Sequence, residues 1–416
     1  MTNPMLKHTP ASEPWRMLMF LLLAQLLVAF VGRSVAPLGI LIGSDLELSK
    51  SQIGMLPAAL FLGQTIAAVP AGMLTDAYGS RRLLGAAAIC LGIAFAAATQ
   101  LGHFALLLLL VAIGGAGYGS MHPITNKGIM YWFTLEKRGT AMGIKQTGVT
   151  AGAALAGLIL LPFGAEYGWR PVLLGATILL MLGGILSYLL YRDPPEQTVM
   201  QKTSAGATFK SMFPLFKNKA LMLVSLSAFG LSGSQMALNT YLVLFSHEKL
   251  GISLFLSGLL LVISEVSGSA GRIIWGVASD VLFRGNRVPV LLIIAILAAL
   301  SSLGVAFASQ AAFWEMVPLI ILFGFSLSGF NGIWMNLASE IVPREQSGLS
   351  SGFSLSLGSL GVIAVPPLFG FMVDRTGSFA IGWLFIAAIM LFVIAMLSLL
   401  AVREKRNRKP IKKPGF

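Results

Sequence analysis

The chain has 416 residues, of which 56% are hydrophobic and only 11% are charged. A soluble domain carries roughly a quarter charged residues, so this composition excludes an ordinary soluble protein and indicates a bundle of membrane-spanning helices. The one cysteine, Cys90, excludes an intrachain disulfide, and with no metal-binding spacing in the sequence we expect neither a metal nor a cofactor.

Twelve apolar stretches of membrane-spanning length follow one another along the chain. A crossing takes about 20 apolar residues, and lipid offers no partner to unpaired backbone groups, so each stretch is predicted to be a helix. The first, Met17 to Leu38, is too long for a signal peptide and has no clear cleavage site. The predicted spans lie near 16–38, 52–75, 82–100, 104–132, 140–163, 170–191, 219–245, 253–279, 288–309, 313–336, 347–373 and 379–402.

A polar segment separates the sixth span from the seventh, and the sequences on its two sides resemble each other. Gly72 to Asp76 closes the second span and Gly276 to Asp280 closes the eighth, each followed by a short basic turn. A repeat of six helices is a known transporter plan. We therefore predict an all-α membrane protein with a six-helix half at 1–192, a cytoplasmic linker at 193–218, a second six-helix half at 219–402 and a basic cytoplasmic tail at 403–416.

The formal net charge of +13 reflects the placement of the basic residues along the chain. With the N-terminus in the cytoplasm, most of the 29 Lys and Arg residues fall on the cytoplasmic side. The outer loops then hold only Lys50, Arg170, Lys249 and Arg375. This placement indicates that both termini lie in the cytoplasm, and it accounts for the positive charge without a nucleic-acid partner. We also expect the protein to be a monomer in the inner membrane of a bacterium.

The turn after the second span carries a recognisable motif. Gly72-Met-Leu-Thr-Asp76-Ala-Tyr-Gly79-Ser-Arg81-Arg82 resembles the signature loop of the major facilitator superfamily, and the twelve spans extend this resemblance over almost the whole chain. The resemblance implies a major facilitator fold and alternating access. It also implies a conformational latch formed by Gly72, Asp76, Gly79, Arg81, Arg82 and, in the second half, Asp280; the alternative is a turn that only sets topology.

Ionised residues inside the predicted spans point to the substrate. Each costs about 2.5–3.5 kcal/mol on insertion scales, and here the excess is positive, which favours an anionic solute. Arg272 lies roughly 12 Å along its helix from Asp280, too deep to reach water easily. The sequence around it looks like the eighth helix of the oxalate:formate antiporter, the monocarboxylate transporters and the nitrate porters, which implies that Arg272 binds the anion.

A second cation, Arg33, lies in the outer part of the first span. Organic anion:proton symporters of the superfamily also place an Arg there, so we predict that Arg33 and Arg272 clamp the substrate from opposite halves. The alternatives are an interhelical ion pair for Arg272 and snorkelling of Arg33 to the surface. Further substrate contacts are predicted at Lys145, Asn126, Gln235, Asn239 and Asn331.

Two residues are candidates for proton coupling. Glu265 lies near the middle of the eighth span, two turns or roughly 10.5 Å from Arg272 along one helix face. A buried carboxylate is stabilised by protonation; the alternative is a structural partner for a lysine or for Arg33. His122, well inside the fourth span, could share the relay or be a hydrogen-bonded structural histidine.

These residues predict a secondary active transporter that takes up a small organic anion, a carboxylate or a sulfonate, together with protons. One alternative is proton-antiport efflux of an amphiphilic compound. The fourth span lacks the Arg, and the fifth the Gly-Pro pair, that drug:proton antiporters usually carry, which weighs against efflux. The other alternative is a non-transporting membrane sensor. We expect no enzymatic activity, because no nucleotide-binding loop or catalytic triad occurs in the sequence.

Overall fold

The computed structural model describes residues 12–193, 213–343 and 346–407. These ranges are helical, with no strand in them. Most of the predicted linker 193–218 and the end of the basic tail 403–416 lie outside the described residues. The helices are α1 Glu13–Gly32, α2 Gly39–Asp45, α3 Lys50–Ala98, α4 Phe104–Trp132, α5 Leu135–Leu155, α6 Leu161–Tyr167, α7 Trp169–Leu190, α8 Lys219–Glu248, α9 Leu254–Val281, α10 Arg287–Phe307, α11 Phe313–Leu327, α12 Asn331–Glu340, α13 Ser347–Thr376 and α14 Phe379–Asn407.

Eleven helical stretches of the described chain are long and apolar enough to cross a membrane. One of them, α3, covers both the second and the third predicted span, and each of the others covers one. A straight helix of its 49 residues would be about 74 Å long, more than twice the ~30 Å of a hydrocarbon core. The helix breaks at Gly79, which has φ 82° and ψ 166°. The chain therefore turns there, and α3 supplies two crossings.

Three spans are less regular than the sequence predicts. The first ends in a 3₁₀ turn at Arg33–Val35. The fifth consists of α5 and α6 joined by a π-helical turn at Ala156–Leu160, and the tenth is interrupted between α11 and α12. At that interruption the backbone of Gly329 packs against Gly271 of α9, so a Cβ there would collide with its neighbours. Such breaks free backbone groups for other partners, and they often occur at functional sites.

Two apolar clusters form the interior. One consists of residues between 17 and 191 together with Met236 and Val362. The other consists of residues between 215 and 400 together with Ile53 and Leu161. Each of these four residues packs in the cluster of the opposite predicted half, so the two clusters meet there. One apolar cluster in each predicted half is consistent with a chain divided into two halves. The exact boundaries of those halves stay a prediction.

Candidate functional site

Arg33 lies at the centre of a polar cluster between helices of the two predicted halves. The 3₁₀ turn after α1 positions it, and its side chain is 21% exposed. Its Nε donates a hydrogen bond to the Tyr118 hydroxyl of α4 at 3.1 Å. One of its terminal nitrogens lies 3.9 Å from Oε1 of Glu265 on α9, and its guanidinium lies 5.9 Å from the centre of the Phe61 ring.

Glu265 is the acidic member of this cluster and is only 3% exposed. Its Oε1 accepts a hydrogen bond of 2.7 Å from Nδ2 of Asn239 on α8. Its Oε2 has no hydrogen-bond partner among the described residues. A buried carboxylate is costly unless it is paired, so Glu265 depends on Arg33 and Asn239.

A small pocket of about 20 Å³ adjoins these groups, with Arg33, Asn239 and Glu265 in its lining. Apolar side chains from both predicted halves complete its walls, among them Pro57, Phe61, Met236 and Leu261. A concave apolar site with a few convergent polar groups is typical of small-molecule binding. Its lining offers a small solute one cation and one acid.

Arg272 does not line this cavity. Its Nε donates to the backbone carbonyl of Ser328 at 3.1 Å, which is one of the groups freed where α11 ends. Arg272 still lies close enough to Arg33 and Glu265 to interact with both electrostatically. The ion-pair partner of Glu265 is therefore Arg33 of the other predicted half and not Arg272 of its own helix. A direct contact between Arg272 and substrate stays a prediction.

Three other predicted residues extend the polar cluster along α4 and α5. Lys145 is 2% exposed, and its Nζ donates to Oδ1 of Asn126 at 2.9 Å. The His122 ring meets the Tyr118 ring edge-on, with centroids 6.3 Å apart. These groups therefore form a polar path from Lys145 toward Arg33, and the roles predicted for them stay predictions.

The remaining predicted polar contacts are less central. Asn331, at the start of α12, donates to the same Ser328 carbonyl as Arg272, at 3.5 Å. Gln235 is half-buried on α8, about one turn before Asn239, and does not line the cavity. Neither Asn331 nor Gln235 lines the central pocket, so the contact with substrate predicted for them stays a prediction.

The two predicted halves are joined at the end of the bundle where α3 begins, which we call the distal end. The backbone N–H groups of Lys50 and Ser51 each donate to the Asp374 carboxylate of α13 at 2.8 Å. The Lys50 ammonium pairs with Glu248 of α8 at 2.6 Å, and the Tyr241 hydroxyl lies 2.8 Å from the Lys50 carbonyl oxygen, within hydrogen-bond distance. Asp374 and Glu248 were not predicted as contact residues. Each lies near the end of a predicted span, directly before a basic residue of an outer loop, and that position was the signal that could have indicated them.

At the opposite, proximal end, the predicted latch residues make contacts within their own halves. Asp76 pairs with Lys127 of α4 at 2.7 Å, and Asp280 pairs with Arg287. A Cβ at Gly72, the first of the predicted latch residues, would meet nothing within 4 Å. None of the ion pairs among the described residues crosses between the halves at this end, and the latch stays a prediction.

The rest of the latch turn is arranged around its break. Gly79 supplies the positive φ, and the N–H groups of Ser80 and Arg81 then donate to the Asp193 carboxylate at 3.1 and 3.0 Å. Burial raises the pKa of the Asp193 carboxyl, although these two N–H donors favour its ionised form. Arg81 also donates from Nε to the Tyr188 carbonyl at 2.7 Å, and Arg82 is exposed.

The family model described as Major Facilitator Superfamily matches residues 21–353 and 283–415. The chain belongs to the major facilitator superfamily. Most members of this superfamily are membrane transporters, which confirms the fold and supports the transport class that the twelve spans and the latch turn predicted. A solved structure of a bacterial homologue of the human lysosomal transporter Spinster has the same fold, with a TM-score of 0.79 and 18% identity over 97% of this chain and 100% of that one.

Curated bacterial relatives are similar along most of the chain. A hexuronate transporter of Bacillus subtilis is 24% identical, over 84% of this chain and 86% of the relative. A probable sulfoacetate transporter, SauU, of Cupriavidus necator is 23% identical, over 87% and 88%. The membrane sensor protein UhpC of Escherichia coli is 26% identical, over 74% of each chain.

Proposed function

We propose that this member of the major facilitator superfamily takes up a small organic anion together with a proton. The observation that carries the proposal is the pairing of Arg33 with Glu265 in the lining of the central pocket. Arg33 lies between the two predicted halves and has a protein carboxylate as its counter-ion. A substrate carboxylate or sulfonate offers the same charge and geometry, and a guanidinium binds such groups bidentately.

The same pair supplies a reason for proton coupling. A substrate anion that binds Arg33 competes with Glu265 for the same guanidinium. Glu265 would then be a buried carboxylate without its counter-ion, which is strongly unfavourable unless it takes up a proton. Anion binding and protonation of Glu265 thus favour each other, and His122 and Lys145 extend the polar path toward the proximal end.

The packing at the two ends supports alternating access. If the basic loops lie in the cytoplasm, the distal end is the outer one, and it is closed by Asp374 and Glu248. The proximal end, where Gly72 and Gly276 face open space, is then the cytoplasmic opening. We propose that closure of that end brings the latch turns of the two halves together, in a bacterial inner membrane with both termini in the cytoplasm.

The names of the relatives support the substrate class. Hexuronate carries a carboxylate, and sulfoacetate carries a carboxylate and a sulfonate, so two relatives are named for small organic anions. One guanidinium in the lining of a pocket between the two predicted halves suits a substrate of that charge. We propose a carboxylate or a sulfonate without choosing between them.

Uptake into proteoliposomes tests this proposal. A panel of sugar acids, small carboxylates and sulfonates should include at least one anion that accumulates faster when the outside is acidic. Arg33→Lys should weaken its binding by at least about tenfold, equivalent to 1.4 kcal/mol, since an ammonium lacks the bidentate fork. Arg16→Lys, an exposed control, should have no effect. If no anion is carried, or if Arg33→Lys binds normally, the proposal is wrong.

A sensor is the second candidate, because the chain is as similar to UhpC as to the transporters. The observed site fits anion binding in either case. A sensor binds its ligand without transporting it. Binding and transport can therefore be measured on the same purified protein to distinguish the two functions. Ligand-dependent thermal stabilisation without uptake or exchange would favour the sensor, and uptake would exclude it.

A further inference from the structure

A basic cleft lies at the proximal end, away from the central cavity. It has a volume of about 510 Å³ and is lined by Ala77, Tyr78, Arg81, Arg82, Arg192 and Asp193. The break in α3 at Gly79 brings Arg81 and Arg82 to one wall, and the end of α7 places Arg192 on the other. Two segments far apart in the chain thus present three guanidinium groups to one space.

Among the described residues, no set of acidic groups balances the positive charge of this cleft. Its one carboxylate, Asp193, already accepts the N–H groups of Ser80 and Arg81. None of the seven ion pairs found among the described residues includes Arg82 or Arg192, and both side chains are exposed. The cleft is therefore poised to bind an anion from outside the protein.

The surroundings of the cleft indicate where that anion comes from. The last turn of α7 exposes Tyr188, Leu189 and Leu190, at 42, 59 and 46%. The Arg81 guanidinium lies 5.0 Å from the centre of the Tyr188 ring, and Tyr78 is 53% exposed. Tyrosines at the end of an apolar membrane helix belong at the headgroup level of a bilayer, so an apolar surface for acyl chains adjoins the guanidinium groups.

We propose that this cleft binds the phosphate of an anionic phospholipid, with its acyl chains along the end of α7. Guanidinium groups pair bidentately with phosphate oxygens, and anionic leaflets attract basic clusters near the membrane surface. The bound headgroup bridges the turn of α3 and the end of α7, the two segments that Asp193 already joins.

Lipid binding by the purified full-length protein tests the site. The protein is placed in nanodiscs that contain phosphatidylethanolamine and a small fraction of phosphatidylglycerol, and the bound lipid is measured by native mass spectrometry. Arg82→Gln and Arg192→Gln together should lower the retained phosphatidylglycerol at least about tenfold, equivalent to 1.4 kcal/mol. Arg284→Gln, an exposed arginine of the equivalent turn in the second half, is the matched control and should retain it.

Each other outcome overturns the proposal. Equal retention by all variants, with unfolding temperatures unchanged, would mean that the cleft does not bind the lipid. An equal loss with Arg284→Gln would indicate diffuse attraction of the basic surface. Displacement of phosphatidylglycerol by millimolar inorganic phosphate would assign the site to free phosphate, and equal binding of phosphatidylethanolamine would exclude recognition of the anionic headgroup.

Discussion

Arg33 and Glu265 could each be predicted from the sequence as site residues, but the contact between them could not. A charged side chain in an apolar stretch is visible in the sequence because its burial is costly, so both residues were predicted as site residues. Their pairing was not predicted as the main contact, because local spacing places Glu265 on one helix face with Arg272. The structure instead brings Glu265 to within 3.9 Å of Arg33. Tyr118, which completes the contact, was missed because a tyrosine in an apolar helix gives no distinct signal.

We expect Glu265→Gln to separate substrate movement from proton movement. Glutamine keeps an oxygen that can accept the Asn239 hydrogen bond, but it carries neither a charge nor an exchangeable carboxyl proton. Uptake driven by a pH gradient should fall at least about tenfold, equivalent to 1.4 kcal/mol, while exchange of internal for external substrate persists. Both rates are measurable in proteoliposomes.

Glu166→Gln is the matched control for this substitution, because Glu166 is exposed at the end of α6. It should leave both rates unchanged. Gradient-driven uptake that survives in Glu265→Gln would show that another group carries the proton, and loss of both rates in that variant would make Glu265 a structural partner of Arg33.

At the scale of elements, hydropathy located the spans but not their internal breaks. Each predicted span has its helix, because twenty apolar residues are a local signal. The π-helical turn at Ala156–Leu160 and the interruption before α12 depend on close packing between helices, as at Gly329 against Gly271. Such contacts join residues far apart in the chain and leave no local pattern. The turn at Gly79 was predicted because its glycine belongs to a recognisable motif.

We expect Gly79→Ala to destabilise the protein by about 1–3 kcal/mol, because its φ and ψ lie in a region that is essentially restricted to glycine. The angles are 82° and 166°, and the strain would also disturb the Asp193 contact that follows. Gly72→Ala is the control in the same helix, where a Cβ meets nothing within 4 Å. Thermal unfolding in detergent should show a lowered midpoint for Gly79→Ala alone. Equal midpoints would mean that α3 can turn without glycine.

At the scale of the whole molecule, the contacts across the halves are unequal at the two ends. The Asp374 carboxylate accepts two backbone N–H groups at the start of α3, so it acts as a capping group supplied by the opposite half. Asp45, at the same end, instead pairs with Arg170 of its own half. The closed distal end therefore depends on Asp374 and Glu248, whereas Asp45 stabilises only its own half.

We accordingly expect Asp374→Asn to shift the population toward a conformation that is open at the distal end. Asparagine keeps one acceptor oxygen, so one of the two backbone N–H groups loses its charged partner. A hydrogen bond to a charged group contributes about 1.5–3 kcal/mol, and 1.4 kcal/mol corresponds to a tenfold change in population. The single cysteine, Cys90, can be replaced by serine, and Ala36→Cys then places one thiol in the cavity lining. An impermeant thiol reagent added outside should label it several-fold faster with Asp374→Asn than without. Asp45→Asn should leave the labelling rate unchanged, and an equal acceleration by both substitutions would mean that general loosening, not release of the cap, opens the distal end.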